Sequence, residues 1–110
     1  MRDRRRFHRW DCSLECRCWG DGFEFEATLT NLSFNGSRVY PKGESPPEGA
    51  EIELVLADNA LEDALKGKSL KGRVVSIYDN GECFGIEFYG KWDDRVEILM
   101  PVFQKYVKVE

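Results

Sequence analysis

Apolar and polar residues alternate along several segments of the chain, which is typical of strands with one face in a core. Residues 10–19 place apolar side chains at the even positions, and residues 23–30 place them mainly at the odd positions. Gly20, Asp21 and Gly22 separate these segments and predict a tight turn between antiparallel strands. The alternation recurs in residues 50–57, which are predicted to form a further strand.

Turn-forming residues interrupt this pattern at two places. The sequence NLSFNG, Asn31 to Gly36, is rich in residues that favour turns, and SRVY at 37–40 follows as a short strand. Residues 41–49 contain three of the four prolines and predict an exposed loop, because proline lacks the donor that a central strand needs. For residues 58–67, a helical turn and a long loop both fit.

The last third of the chain predicts a hairpin and a helix. Asp79 to Glu82 form a turn signal between two strand-like runs in residues 68–90. Residues 93–107 have apolar side chains at helical spacing and an acidic first turn, and Pro101 is expected to cause a kink or a restart near Met100. The predicted apolar positions of this helix are Val96, Leu99, Met100, Phe103 and Val107.

Six short strands with mostly tight connections predict an all-β fold with a C-terminal helix. A six-stranded antiparallel β-barrel hides its strand edges by closing, and the helix is expected to cover an opening. The length of 110 residues fits one domain, residues 1–110. Within it we expect a flexible basic arm at 1–9, the barrel at 10–90 and the helix at 93–107.

Composition agrees with a folded, soluble domain, since 42% of the residues are hydrophobic and 33% are charged. No run of about 18 apolar residues is present, so we expect no membrane insertion or export and a cytoplasmic location. The four cysteines, at 12, 16, 18 and 83, match neither paired zinc spacing nor a dense disulfide framework. The favoured interpretation is that the cysteines are small apolar residues that fill space in the core, and metal or disulfide roles are the alternatives.

Charge is concentrated at the N-terminus. Residues 1–10 contain five arginines and one aspartate, a net charge of +4, whereas residues 11–110 carry −8. A nucleic-acid-binding domain normally spreads positive potential over a face, because its affinity comes from neutralising many phosphates. One basic arm on an acidic body therefore favours a small anionic partner.

Catalytic residues are not evident in the sequence. The only histidine, His8, lies in the arm without a recognisable carboxylate partner or metal spacing. No glycine-rich phosphate loop of a known type is present. We therefore expect no enzyme activity, no catalytic residue, no metal site and no cofactor.

Two short motifs carry the candidate binding chemistry. Arg5 and Arg9 are four residues apart, and arginine binds phosphate or a guanine edge through two parallel donors and also stacks on a base. Asn31, Ser33 and Gly36 place an amide, a hydroxyl and a small residue in one turn. Each motif alone has an ordinary interpretation, a solvated tail for the first and a plain turn for the second.

Together, RRRFHR and NLSFNG resemble the R-x-x-x-R and [D/N]-x-S-x-x-G motifs of PilZ domains, bacterial receptors for cyclic di-GMP. The segment KGRVVSIYDNGECFGIEF is similar to the later hairpin of that family. The resemblance implies a six-stranded barrel with a C-terminal helix and a non-catalytic receptor whose ligand is cyclic di-GMP. It also implies a role in second-messenger signalling through a protein effector that the sequence does not identify.

The resemblance assigns ligand-binding residues one by one. Arg5 and Arg9 match the two arginines, and Asn31, Ser33 and Gly36 match the second motif. Arg4 takes the position of a preceding arginine that in the family accompanies two intercalated ligand molecules. Arg2 and Arg6 also have the four-residue spacing but receive no role. The arm is expected to order over the barrel when the ligand binds.

Two other functions fit parts of the sequence. A small barrel of this kind binds single-stranded nucleic acid in some proteins, with aromatic side chains stacking the bases. Here the aromatic residues are better explained as core, and the acidic body disfavours a long polyanion. The other alternative is a family member that binds no nucleotide and acts as a protein interaction module. Oligomeric state and cellular process are not specified by any motif.

Overall fold

The computed structural model describes residues 10–57 and 68–106, and the predicted arm and residues 58–67 lie outside this part of the chain. Six antiparallel strands close into a barrel, and one helix follows them. Around the barrel the strands take the order β1, β2, β3, β6, β5, β4, and β4 pairs with β1. The elements are β1 (Leu14–Gly20), β2 (Phe23–Thr30), β3 (Gly36–Pro41), β4 (Glu51–Leu56), β5 (Leu70–Tyr78), β6 (Cys83–Tyr89) and α1 (Trp92–Tyr106).

The first strand is shorter than the alternation predicts. It begins at Leu14 rather than Trp10, although the apolar and polar pattern extends through both. Its partner β2 ends at Thr30, and Asn31 then turns the chain with a φ of 47°. Residues before Leu14 therefore lose their strand partner, except for a single bridge between Trp10 and Leu32.

The predicted hairpins are confirmed. Leu14 pairs with Leu29 and Gly20 with Phe23 in the first hairpin. In the second, Asp79 to Gly81 form a 3₁₀ turn between β5 and β6. The proline-rich segment is mostly exposed as predicted, but Pro41 ends β3 and Pro46 is buried.

The barrel interior is filled by the side chains at alternate strand positions. Cys16 and Cys18 belong to this core, which confirms their predicted role as small apolar residues, and all four cysteines are free. Phe23 and Phe25 are half-buried and pack against it. The largest fully buried apolar side chains are Phe84, Leu29, Leu32, Leu54, Leu70, Leu99, Val39, Val74 and Val102.

The C-terminal helix runs through Pro101 without a break, so the predicted restart near Met100 is wrong. Its buried face also differs from the predicted one, because Ile98 and Val102 join Leu99 and Phe103 in the core while Met100 is 40% exposed. The apolar residues of this helix are spread over two overlapping faces. Only the face that contains Ile98, Leu99, Val102 and Phe103 packs against the barrel. The residues of α1 that join the core lie on both sides of Pro101, at Ile98 and Leu99 and at Val102 and Phe103.

The helix lies against the end of the barrel where β3 and β5 begin. Lys68, just before β5, forms an ion pair of 2.8 Å with Glu97 of α1. Arg95 of α1 contacts the segment just before β3. Within the described ranges, no helix has the length and apolar character needed to cross a membrane.

Candidate functional site

The site turn, residues 31–36, connects β2 to β3 at the barrel end that α1 contacts. It begins at Asn31, whose φ of 47° lies in the left-handed region that asparagine tolerates better than most residues. Asn31 is half-buried, and the described part of the chain offers its side-chain amide no hydrogen-bond partner. An asparagine side chain carries two N–H donors and one acceptor oxygen.

Ser33 holds the site turn closed. Its hydroxyl is 2% exposed and accepts hydrogen bonds from the backbone N–H groups of Asn35 and Gly36 at 3.1 and 3.2 Å. The same hydroxyl donates to the carbonyl oxygen of Gly36 at 3.3 Å, and the Ser33 N–H donates to that oxygen at 2.9 Å. The turn thus gains most of its internal hydrogen bonds from one small side chain.

Gly36 is required by the neighbouring strand. A Cβ atom at this position would lie 2.3 Å from the carbonyl oxygen of Ile86 in β6. Asn35 is tied to the same strand, since its carbonyl oxygen accepts a bond of 2.8 Å from the N–H of Phe88. The close approach of β3 and β6 therefore fixes where the site turn lies on the barrel.

The first described residue of the chain is bound to the site turn. Trp10 and Leu32 exchange two backbone hydrogen bonds of 2.9 Å, with each N–H donating to the other carbonyl. Leu32 lies between Asn31 and Ser33, and Arg9 directly precedes Trp10 in the sequence. The bridge thus anchors the chain, at the point where the arm ends, to the middle of the second motif.

An aromatic cluster joins the site turn to the helix. The ring of Phe34 packs against Trp10, Trp92 and Phe103, with centroid distances of 6.4, 5.3 and 4.7 Å. Trp10 also packs on Phe103 at 4.3 Å. The segment before β1, the site turn and α1 therefore meet at one set of rings.

Arg95 adds a polar contact at the same place. Its Nη1 donates a hydrogen bond of 3.1 Å to the carbonyl oxygen of Phe34, and its guanidinium lies 5.4 Å from the centre of the Trp92 ring. Sequence reasoning missed both Phe34 and Arg95. The sequence signal for Phe34 is its position as an aromatic residue in a turn rich in polar residues. Nothing in the acidic start of the helix marks Arg95 as a residue that contacts the site turn.

The structure tests the predicted site only in part. It brings Asn31, Ser33 and Gly36 into one turn, and it explains Ser33 and Gly36 by backbone contacts. Arg4, Arg5 and Arg9 lie outside the described residues, as does His8. Ligand binding by all six predicted site residues stays a prediction.

Comparisons with known proteins identify a family and a similar fold. The family model described as PilZ domain matches residues 3–99. A solved structure, "Structure of Bacillus subtilis Inhibitor of motility (MotI/DgrA)", superposes with a TM-score of 0.69 at 17% sequence identity and covers 94% of this chain. The chain spans about half of that protein, since 51% of its length is covered. A search of curated proteins finds no match.

Proposed function

Because the chain belongs to the PilZ domain family, we propose that it is a non-catalytic receptor for the second messenger cyclic di-GMP. The observation that carries this proposal is the bridge between Trp10 and Leu32. It joins Trp10, which directly follows Arg9 in the sequence, to Leu32 of the second motif, although Arg9 and Asn31 are 22 residues apart in the sequence.

The ligand's chemistry matches the two halves of this site. Cyclic di-GMP carries two phosphates and two guanines. The guanidinium groups of Arg5 and Arg9 can bind a phosphate through two hydrogen bonds and can also stack on a guanine. Asn31 then bonds a guanine edge from the barrel side through its side-chain amide. Asparagine lacks the charge of aspartate, so this bond is weaker than the charged equivalent.

Ser33 and Gly36 support the ligand indirectly in this proposal. Ser33 already uses its hydroxyl for the backbone of the turn, and Gly36 allows β3 to approach β6. Both residues therefore fix the position of Asn31 relative to Trp10. A contact of the Ser33 hydroxyl with the ligand requires one of these turn bonds to be shared.

Binding is proposed to order the arm. Its net charge of +4 opposes compaction, and two ligand phosphates neutralise part of that charge. The ordered arm then covers the barrel beside Trp10 and presents a new surface to a protein effector. Arg4 favours two stacked ligand molecules over one in this arrangement.

Single-stranded nucleic acid is a less suitable ligand. The aromatic residues that could stack bases are Trp10, Trp19, Phe23 and Phe25. Trp10, Phe23 and Phe25 pack against the core, and Trp19 is half-buried. Residues 11–110 also carry a net charge of −8, which repels a long polyanion.

Two parallel titrations distinguish the two ligands. Cyclic di-GMP and a dodecathymidylate strand are each titrated against the intact chain while tryptophan fluorescence is followed, at several salt concentrations. We expect saturable cyclic di-GMP binding with a shallow salt dependence. Tight binding of the oligonucleotide with a steep salt slope, and no response to cyclic di-GMP, would contradict the proposal.

A further inference from the structure

The outer face of the barrel carries a layered arrangement of side chains beside the site turn. A bulge between Val74 and Ser76 inserts an extra residue in β5, so that Ser76 pairs with Gly85 and Tyr78 with Cys83. The bulge changes which side chains point outward, and it places Ser76 and Tyr78 on the outer face. Without it, the period of two would direct both toward the core with Val74.

Gly85 provides the base of this arrangement. A Cβ atom at Gly85 would lie 3.4 Å from Cε2 of Tyr78, so the ring lies across the space that a side chain would occupy. The Ser76 hydroxyl donates a hydrogen bond of 2.8 Å to the Tyr78 hydroxyl. The ring of Tyr78 is therefore held flat against the barrel, although the residue is 39% exposed.

Arg38 forms the outer layer. Its guanidinium carbon lies 4.7 Å from the centre of the Tyr78 ring, and the side chain is partly exposed. Among the described residues, the Tyr78 ring alone is stacked on this guanidinium. A hydrogen bond with Tyr40 raises the pKa of Arg38, so the group keeps its charge. One planar face is thus covered, and the charged group is oriented before any ligand arrives.

The backbone position of Arg38 relates this stack to the site turn. Arg38 pairs with Thr30 across β2 and β3, and Asn31 follows Thr30 directly. Neighbouring strands are about 4.8 Å apart, which places the Arg38 backbone next to the start of the site turn. Arg38 also belongs to the acidic part of the chain, where a positive group on the outer face is a favourable position for an anionic ligand.

We propose that Arg38, stacked on Tyr78, forms a second base-binding position, where one guanine of cyclic di-GMP lies on the face of the guanidinium opposite the Tyr78 ring. This inference rests on the proposed function, since the second guanine belongs to the ligand whose first guanine Asn31 binds. Stacking on a base requires the planar guanidinium and not only its charge. Lysine at position 38 therefore does not replace it.

The experiment compares binding of cyclic di-GMP by isothermal titration in the intact chain and four variants. Arg38→Ala and Arg38→Lys are each expected to weaken binding by about tenfold or more, and Tyr78→Leu by less, because the arginine keeps its charge but loses its support. Arg17→Ala is the control, since Arg17 is an exposed strand arginine on β1. Thermal melts confirm that each variant is folded.

The possible results separate the inference from the function that it assumes. Unchanged affinity in Arg38→Ala, with clear binding by the unmodified chain, would overturn the second base position and leave the receptor function standing. Full affinity in Arg38→Lys would also overturn stacking, because charge alone would then be sufficient. No binding by the unmodified chain would reject the receptor function, and the second base position with it.

Discussion

Arg95 of the C-terminal helix donates a hydrogen bond of 3.1 Å to the carbonyl oxygen of Phe34, in the middle of the site turn. The two residues are 61 positions apart in the sequence, and the contact makes the helix a direct support of the turn. Phe34 also packs against Trp92 and Phe103 of the same helix. The site turn and α1 are therefore joined by both a polar and an aromatic contact.

Replacing Arg95 tests this support. Arg95→Ala leaves the Phe34 carbonyl without its donor and is expected to destabilise the fold by about 1–3 kcal/mol. Faster amide hydrogen exchange within residues 31–36 should accompany it. Gln104→Ala, at an exposed position of the same helix, is the control. Equal exchange in the site turn of both variants would show that Arg95 does not support it.

Gly36 is expected to be intolerant of even one added carbon. Gly36→Ala brings a Cβ atom to 2.3 Å from the Ile86 carbonyl oxygen, so β3 and β6 must separate. We expect a loss of about 1–3 kcal/mol in the free energy of unfolding, measured by denaturant titration. Gly85→Ala in β6 is the matched control, because its Cβ would meet only side-chain atoms, the nearest of them 3.2 Å away at Ser76 Oγ. An equal or larger loss in Gly85→Ala would contradict the crowding argument.

The arginines of the arm are expected to affect binding without affecting stability. Arg5→Ala and Arg9→Ala each remove a charge-assisted contact with the ligand and should weaken cyclic di-GMP binding by about tenfold or more. The sequence predicts that the arm lies outside the core, and surface arginines contribute little to folding, so the melting temperature should change little. Loss of the melting transition in either variant would indicate a structural role instead.

Thiol ionisation predicts a loss of stability at alkaline pH. The hydrogen bond with Cys18 and burial raise the pKa of Cys16 above its ordinary value of 9.0, and burial does the same for Cys83. The neutral thiols therefore stabilise the fold fully below about pH 9, and this contribution falls as the pH rises toward the folded-state pKa. Free energies of unfolding measured at about pH 8 and about pH 10 check the sign.

The matched variant for this prediction is Cys16→Ala. It loses packing at every pH, but its stability should fall less between the two pH values than that of the unmodified chain. An equal fall in both proteins would show that Cys16 does not contribute to the pH dependence.

The strands were predictable because alternating apolar and polar residues indicate a strand with one buried face. The two hairpin turns were predictable because they contain residues that strongly favour tight turns. The start of β1 was not, since the pattern continues to Trp10 while its partner strand ends at Thr30. The buried face of the helix was also predicted wrongly. Met100 and Val102 lie on different apolar faces of the helix, and packing against the barrel determines that Val102 is the buried one. Boundaries thus depend on partners that are distant in the sequence.

The candidate site was predictable as motifs but not as geometry. Asn31, Ser33 and Gly36 stand out in the sequence, yet the close approach of Gly36 to Ile86 depends on how β3 pairs with β6. The support from Arg95 likewise depends on where α1 packs. No local pattern marks such long-range contacts, and the same is true of the stack of Arg38 on Tyr78, which depends on a bulge in β5.

Isothermal titration of the intact chain with cyclic di-GMP at moderate salt tests the central claim most directly. We expect saturable binding, with two ligand molecules per chain if Arg4 acts as proposed and one in Arg4→Ala. A 1:1 complex in the unmodified chain would reject the role of Arg4 alone. Absence of saturable binding by the folded chain would contradict the receptor function.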